Sequence, residues 1–227
     1  MEQFHLKNIV FSSSATVYGD PDVLPVTEST AFKKALSSYG STKQMGEEIL
    51  EKTTAAKNIA AISLRYFNPV GAHSSALIGE LPIGVPNNLM PFIAQTAAGI
   101  REKLVVFGDD YDTPDGTCIR DYIHIADLVS AHLLAMDGLR ERDRLIYNLG
   151  SGNGYSVREV IETARQVTGH PIPANELPRR PGDSARLVAS SDKIKRDLGW
   201  TPEHDNLSEI ISSAWEWHQS HPNGYED

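Results

Sequence analysis

Two short apolar segments, Asn8-Ile-Val-Phe-Ser12 and Ile59-Ala-Ala-Ile-Ser-Leu-Arg65, bracket a helical stretch from about Ser38 to Lys57. Strand, helix and strand at this spacing form a βαβ unit, so the two strands pair in parallel through a right-handed crossover. That constraint places the chain in the α/β class. Met45, Ile49 and Leu50 supply the expected inner stripe of the crossover helix. Ligands of open α/β sheets bind beyond the carboxyl ends of the strands. Here the first strand ends in a hydroxyl cluster, Ser12-Ser-Ser-Ala-Thr16, and the second in Tyr66-Phe-Asn-Pro-Val-Gly71.

At the start of the helix, Ser37-Ser-Tyr-Gly-Ser-Thr-Lys43 sets a phenol and an ammonium four residues apart. On a helix they share one face, about 5–6 Å apart at Cβ. A free phenol, with a pKa near ~10, is a poor base at neutral pH. A nearby cation favours the phenolate. Tyr39 can then take a proton from a sugar or alcohol hydroxyl, directly or through Ser14. A Tyr-x-x-x-Lys spacing by itself occurs on many helix surfaces. Its place in a crossover helix, downstream of a Ser/Thr-rich strand end, gives it meaning.

Further along, 71–88 reads as a long Gly/Pro-rich loop, Leu89 to Ala98 as a helix and Leu104-Val-Val-Phe107 as a strand. Asp109 to Thr117 reads as a polar loop, Ile125 to Met136 as a helix and Leu145 to Leu149 as a strand. A helix follows from Ser156 to Val167, with Ser156 as its cap, and two more lie in 192–217, split near Trp200-Thr-Pro202. Gly150-Ser-Gly-Asn-Gly154 lies between strand and helix, as a dinucleotide fingerprint does. The last glycine of that pattern would fall on Tyr155, so it is read as a tight helix entry.

The 227 residues include 21 basic and 30 acidic ones, a net charge of −9, with no basic stripe. That argues against nucleic acid as a partner. It leaves room for a small phosphorylated ligand held by one or two arginines. The single cysteine, Cys118, cannot form an intrachain disulfide, no Cys/His pair has metal-ligand spacing, and a reducing, cytoplasmic setting is expected. No apolar run approaches the ~18 residues of a membrane span.

Six motifs then occur in order: Phe11-Ser-Ser-Ser-Ala-Thr-Val-Tyr-Gly-Asp20, Ser38-Tyr-Gly-Ser-Thr-Lys43, Leu64-Arg-Tyr-Phe-Asn-Pro-Val-Gly-Ala-His73, Gly84-Val-Pro-Asn-Asn-Leu-Met-Pro91, Asp115-Gly-Thr-Cys-Ile-Arg-Asp-Tyr-Ile-His124 and Arg179-Arg-Pro-Gly-Asp183. Through them the chain closely resembles the UDP-glucose 4-epimerases, a family of extended short-chain dehydrogenases/reductases. The resemblance runs from about Asn8 to Tyr225. It implies NAD as cofactor, epimerisation at C4 of UDP-glucose and UDP-galactose through a 4-keto intermediate, and a homodimer. It also implies a partial Rossmann-type parallel sheet with a smaller C-terminal α/β substrate-binding domain. Residues 1–70 would be the C-terminal portion of the NAD-binding domain with the catalytic residues. Residues 71–227 would mainly bind the UDP-sugar, with some elements packing back on the sheet.

Roles follow from the same resemblance. Tyr39 corresponds to the catalytic base, Lys43 to the residue that lowers its pKa and holds the nicotinamide ribose, and Ser14, with Thr16 nearby, to the hydroxyl relay at the sugar. Phe67 and Pro69 correspond to the wall beside the nicotinamide, and Asn68, Asn88 and Leu89 to diphosphate and sugar ligands. Val105 to Phe107 corresponds to the strip against the uracil, Arg120 and Arg180 to the diphosphate arginines, and Asp183 to a uridine-ribose contact. Leu187 stands where the family sets its tolerance of N-acetyl groups. The bland readings are an Arg120–Asp121 surface pair, a solvated Arg179–Arg180 loop, a structural His124, and Trp215 and Trp217 as packing aromatics.

Family members open with a strand and a Gly-x-x-Gly-x-x-Gly turn that seats the dinucleotide pyrophosphate. None precedes Asn8, so on the order of 100 residues of a typical dinucleotide half are expected to be missing. The expectations are very weak NAD binding, no turnover by the 227-residue chain alone, and an apolar strand edge that promotes self-association. A non-catalytic UDP-sugar binder is the alternative. A nucleotide-sugar 4,6-dehydratase is disfavoured, because Ser14-Ala15-Thr16 lacks the acid/base carboxylates that dehydration needs.

Overall fold

The structure, a computed structural model, describes residues 1–56, 59–139 and 144–225. Strand β1 (Asn8–Ser14), helix α1 (Ser38–Ala56) and strand β2 (Ala60–Tyr66) form the expected crossover. β1 and β2 pair in parallel, with Asn8 opposite Ala60 and Ser14 opposite Tyr66. The first six residues of β2 are all buried, as expected of a strand covered on both faces. Lys57, the expected end of the helix, lies outside the described residues.

After the short β3 (Asn68–Val70) come α2 (Leu89–Ala97), β4 (Leu104–Phe107), β5 (Ile119–His124), α3 (Ile125–Gly138) and β6 (Arg144–Leu149). β7 (Gly154–Ser156), α4 (Val157–Thr168), β8 (Ala174–Leu177), β9 (Arg186–Leu187), α5 (Asp192–Leu198) and α6 (Leu207–Ser220) complete the order. β6 adds in parallel to β2, giving a sheet ordered β1-β2-β6. Among the described residues β1 pairs with β2 alone, so its other edge is open. A second sheet, β3-β5-β7 with β9 beside β5, and the parallel β4–β8 pair make up the rest.

Two main apolar cores follow. One packs Ile62, Leu64, Tyr147 and Leu149 of the first sheet against Leu128, Ala131 and Ala135 of α3, with Ile194 of α5 and Trp200. The other joins Ile93 of α2, Leu104 of β4, Ile161 of α4, and Ile211 and Trp215 of α6. α4 is well bounded: Ser156 and Glu159 form a capping box, and Gly169 closes the helix in a left-handed conformation.

α1 departs from expectation. Met45 and Ile49 are 60% and 63% exposed, and only Leu50 of the expected stripe is half-buried. The helix buries Gly40, Glu47 and Thr54 instead. Among the described residues none of the three apolar clusters takes a side chain from α1. β1 alternates in the usual way: Val10 packs with the α3 core, while Phe11 and Ser13 face α1. Gly46 makes that approach possible, since a Cβ there would lie 2.5 Å from the Phe11 ring.

His124 is structural. It caps α3, its Nδ1 accepting from Ala126 N at 3.1 Å, and its Nε2 lies 3.0 Å from Ser213 Oγ. Burial, and then the His204 ring 4.5 Å away, hold its pKa below the usual histidine value. The unfolded chain therefore takes up a proton near pH 6.5 that the folded state resists, so this contribution to stability is lost as pH falls. His124→Asn keeps a capping side chain and removes the titration. In thermal melts from pH 7 to 5, wild type is expected to lose stability relative to the variant; parallel curves would contradict this.

Candidate active site

Beyond the carboxyl ends of β1 and β2 lies a cavity of about 200 Å³. Ser14, Thr16, Phe67, Asn68, Arg120, Arg180, Asp183 and Leu187 line it, eight of the residues singled out in the sequence. Leu36, Ser37, Gly182 and Ser184 line it as well and were not anticipated. The Pro181-Gly182 turn was the available signal. Gly182 has φ +89°, and a Cβ there would come within 2.9 Å of the Leu36 carbonyl oxygen. A larger open groove of about 600 Å³ beside α1, lined by Lys33, Lys52, Glu48 and Arg144 among others, contains none of the expected site residues.

Tyr39 and Lys43 stand on the first turns of α1, just past Ser37. Ser37 Oγ accepts from Gly40 N at 3.0 Å and so caps the helix. Lys43 Nζ lies 5.3 Å from the centroid of the Tyr39 ring and donates to the Ser12 carbonyl at 2.8 Å. Tyr39 is 54% exposed. Ser14 Oγ accepts from Thr16 N at 3.2 Å and from Thr16 Oγ1 at 3.0 Å, so the two hydroxyls form one unit. Tyr66, a second phenol nearby, is hydrogen-bonded to Ser12 and His132. Burial raises its pKa, which disfavours it as a base.

Within the same lining, Asp183 binds both arginines. Arg180 donates through Nε and Nη2 to its two oxygens, each at 3.1 Å, and Arg120 Nη2 approaches at 3.6 Å. Arg120 thus pairs with Asp183, not with Asp121. Arg180 also lies over Phe107, 5.6 Å from the ring centroid, which links β4 to the rim. Arg179 pairs with Asp110 and stacks on Tyr111. Asn68 Nδ2 donates to the Asp121 carbonyl at 2.9 Å, and Asn88 Nδ2 to Glu80 Oε1 at 3.3 Å. Pro69, Asn88, Leu89 and Val105, like Tyr39, Lys43 and Phe107, are not part of the cavity lining.

Asp121 ties the walls together. Its carboxylate accepts from Ser151 N (2.8 Å), Ser151 Oγ (2.9 Å), Gly152 N (3.1 Å) and Ala189 N (3.0 Å). In the 150–154 turn that resembled a dinucleotide fingerprint, the Ser151 and Gly152 amides are therefore committed to an internal carboxylate, while Gly150 N donates to Ser191 Oγ and Asn153 N to Ser151 Oγ. Burial outweighs these donors and pushes the Asp121 pKa up to about 6. Among the described residues no cluster of His, Cys, Asp and Glu is placed to hold a metal, and no helix is long and apolar enough to cross a membrane.

A parallel sheet crossed by the helix of a Tyr–Lys pair, with a cavity lined by Arg120 and Arg180 beside the strand ends, places the chain among Rossmann-type α/β proteins. A family model described as GDP-mannose 4,6 dehydratase matches residues 2–213. The UDP-glucose 4-epimerase of Corynebacterium glutamicum is 50% identical over 215 residues, 95% of this chain and 64% of that protein. That of Streptococcus mutans is 47% identical over 228 residues, 100% of this chain and 68% of that protein. The crystal structure of the Bifidobacterium longum UDP-glucose 4-epimerase in complex with NAD+ and UDP superposes with a TM-score of 0.96 at 46% identity, covering 99% of this chain and 67% of that one. The chain belongs to the UDP-glucose 4-epimerase family and spans about two thirds of the length of these relatives.

Asp121→Asn sets an amide NH2 against backbone N–H donors. At pH 7.5 the substitution is expected to cost about 2–3 kcal/mol in urea unfolding. A loss within ~0.5 kcal/mol would show that the knot carries no weight.

Proposed function

We propose that this chain provides the catalytic helix and the UDP-sugar pocket of an NAD-dependent enzyme that epimerises UDP-hexoses, UDP-glucose and UDP-galactose, at C4. One observation carries the reading: Ser14, Thr16, Arg120, Arg180 and Asp183 line one cavity, and Ser37, which caps the helix carrying Tyr39 and Lys43, lines it with them. The arginines suit a diphosphate, because a guanidinium fork matches its oxygens. Tyr39 takes the proton of the sugar hydroxyl, directly or through Ser14, and Lys43 holds the charge that develops. Phe107 and Val105 offer an apolar strip for the uracil, Asn68 and Asn88 polar side chains along the ligand, and Leu89 an apolar contact beside Asn88. Leu187 limits the room at the sugar.

The residues present fit the nicotinamide-ribose end of NAD: an exposed phenol and an ammonium stand side by side, with Phe67 and Pro69 as a wall. NAD, when bound, supplies the hydride acceptor. The dehydratase reading finds no support at the hydroxyl cluster, where Ser14-Ala15-Thr16 offers no carboxylate. A binder without turnover is the second reading. It rests on the cavity alone, where Arg120 and Arg180 can hold a diphosphate without any step at Tyr39. Exposed Met45 and Ile49 on one side of α1 support assembly as a homodimer. The lone buried Cys118 agrees with a reducing, cytoplasmic setting.

Calorimetric titration with UDP tests the pocket. Binding is expected in wild type, and Arg120→Met or Arg180→Met should each weaken it by about tenfold or more, the loss of one charge-assisted contact. No binding, or unaltered binding in both variants, would contradict the assignment. Conversion of UDP-galactose with added NAD separates enzyme from binder.

A further inference from the structure

The helix bearing Tyr39 and Lys43 is fastened to the sheet by polar bonds, and Glu47 stands at their centre. It lies one turn past Lys43 and two past Tyr39, and is 2% exposed. Its Oε1 accepts from Arg65 Nε at 2.9 Å and from Ser13 Oγ at 2.5 Å, and its Oε2 from Arg65 Nη2 at 2.6 Å. Arg65 donates in turn through Nη1 to Tyr18 Oη at 2.8 Å, and that hydroxyl donates to Asn148 Oδ1 at 2.6 Å. The rings of Phe32 and Tyr18 lie 4.8 and 4.9 Å from the guanidinium carbon. Donors from β1 and β2, steadied by β6, thus converge on one carboxylate of α1.

A buried ion pair is a poor source of stability, since well-packed apolar side chains of similar volume often serve as well. It does supply direction, because a bidentate fork admits a carboxylate in one plane and at one distance. Apolar packing gives α1 little of that direction here, chiefly the Phe11 ring against Gly46 and the half-buried Leu50. Met45 and Ile49 are exposed, and among the described residues no α1 side chain enters the apolar clusters. Ser13, which grips Glu47, directly precedes Ser14, and Lys43 binds the carbonyl of Ser12.

We propose that Glu47 is a positioning residue for the Tyr39–Lys43 pair. Its clamp by Arg65 and Ser13 sets the height and rotation of α1 against the Ser12–Ser14 strand end. The role rests on reading Tyr39 and Lys43 as the reacting pair.

Tyrosine nitration by tetranitromethane, which attacks phenolates, gives a readout in the chain as it stands. Tyr39 and Tyr225 are similarly exposed, at 54% and 47%, so peptide mass spectrometry can follow their nitration ratio within one molecule. Glu47→Met with Arg65→Met removes the clamp and leaves no buried charge. The double variant is expected to melt within about 5 °C of wild type. It should bind UDP as wild type does, and its Tyr39:Tyr225 ratio should fall by roughly threefold or more. Ser13→Ala, which removes one of the three bonds, should shift the ratio the same way by a smaller factor. It decides the matter if the double variant does not fold. An unchanged ratio in a folded variant overturns the positioning role and leaves the reading of Tyr39 intact. A wild-type ratio no higher than that of Lys43→Met overturns the reading of Tyr39 as an activated base, and the positioning role with it.

Discussion

The Glu47–Arg65 ion pair is the interaction on which the rest of this structure turns. A crossover helix normally stays on its sheet by burying an apolar stripe. α1 buries a glycine, a glutamate and a threonine instead, and is held by the Glu47 clamp, by Lys43 on the Ser12 carbonyl and by Gln44 on the Val17 carbonyl. Each tie joins a side chain of the helix to a strand end or the turn after it. Removing one partner of such a buried pair costs about 3–5 kcal/mol, because the other charge stays unpaired in the interior. The arrangement is sensitive to geometry where a helix greased by leucines would tolerate a slip.

A second polar knot does for the ligand walls what the first does for the helix. Asp121 binds the 150–152 turn and the Ala189 amide, so β5, which carries Arg120, is tied to the segment that carries Leu187. The cavity lies against a third, smaller apolar cluster, to which Ala15, Phe67 and Leu187 of its lining belong. Ser14 and Thr16 come from the β1 end, Arg120 from β5 and Arg180 and Asp183 from the loop after β8. A pocket lined from several separate elements can gather unlike groups, hydroxyls and guanidinium groups, without burying either in a continuous apolar interior.

Much of this was legible in the sequence, for a simple physical reason. Continuous apolar runs fixed β1, β2, β4 and β6, and the Ser156–Glu159 capping pattern marked the start of α4. What periodicity could not carry was missed. β8 is exposed at all four positions, and β7 and β9 span three and two residues, so pairing with β4 and β5 alone makes them strands. Met45 and Ile49 read as an inner stripe because apolar residues on a helix usually face the core. The residue that does face it is a glutamate, and a buried Glu47 makes sense only once Arg65 is known to stand opposite. Among the site residues, ordered motifs collected seven around one cavity, and Leu187, four positions past Asp183, is the eighth. The Arg120–Asp183 contact, 63 positions apart, depends on tertiary folding and could not have been told from a pair with neighbouring Asp121.

Amide hydrogen exchange across α1, followed by mass spectrometry on the wild-type chain, tests the central claim most directly. If polar ties anchor the helix, its amides from Lys43 to Leu50 exchange as slowly as those of buried β2, through opening of the sheet itself. Exchange of α1 within seconds while β2 stays protected would show a helix merely resting on the sheet, and the account would fail.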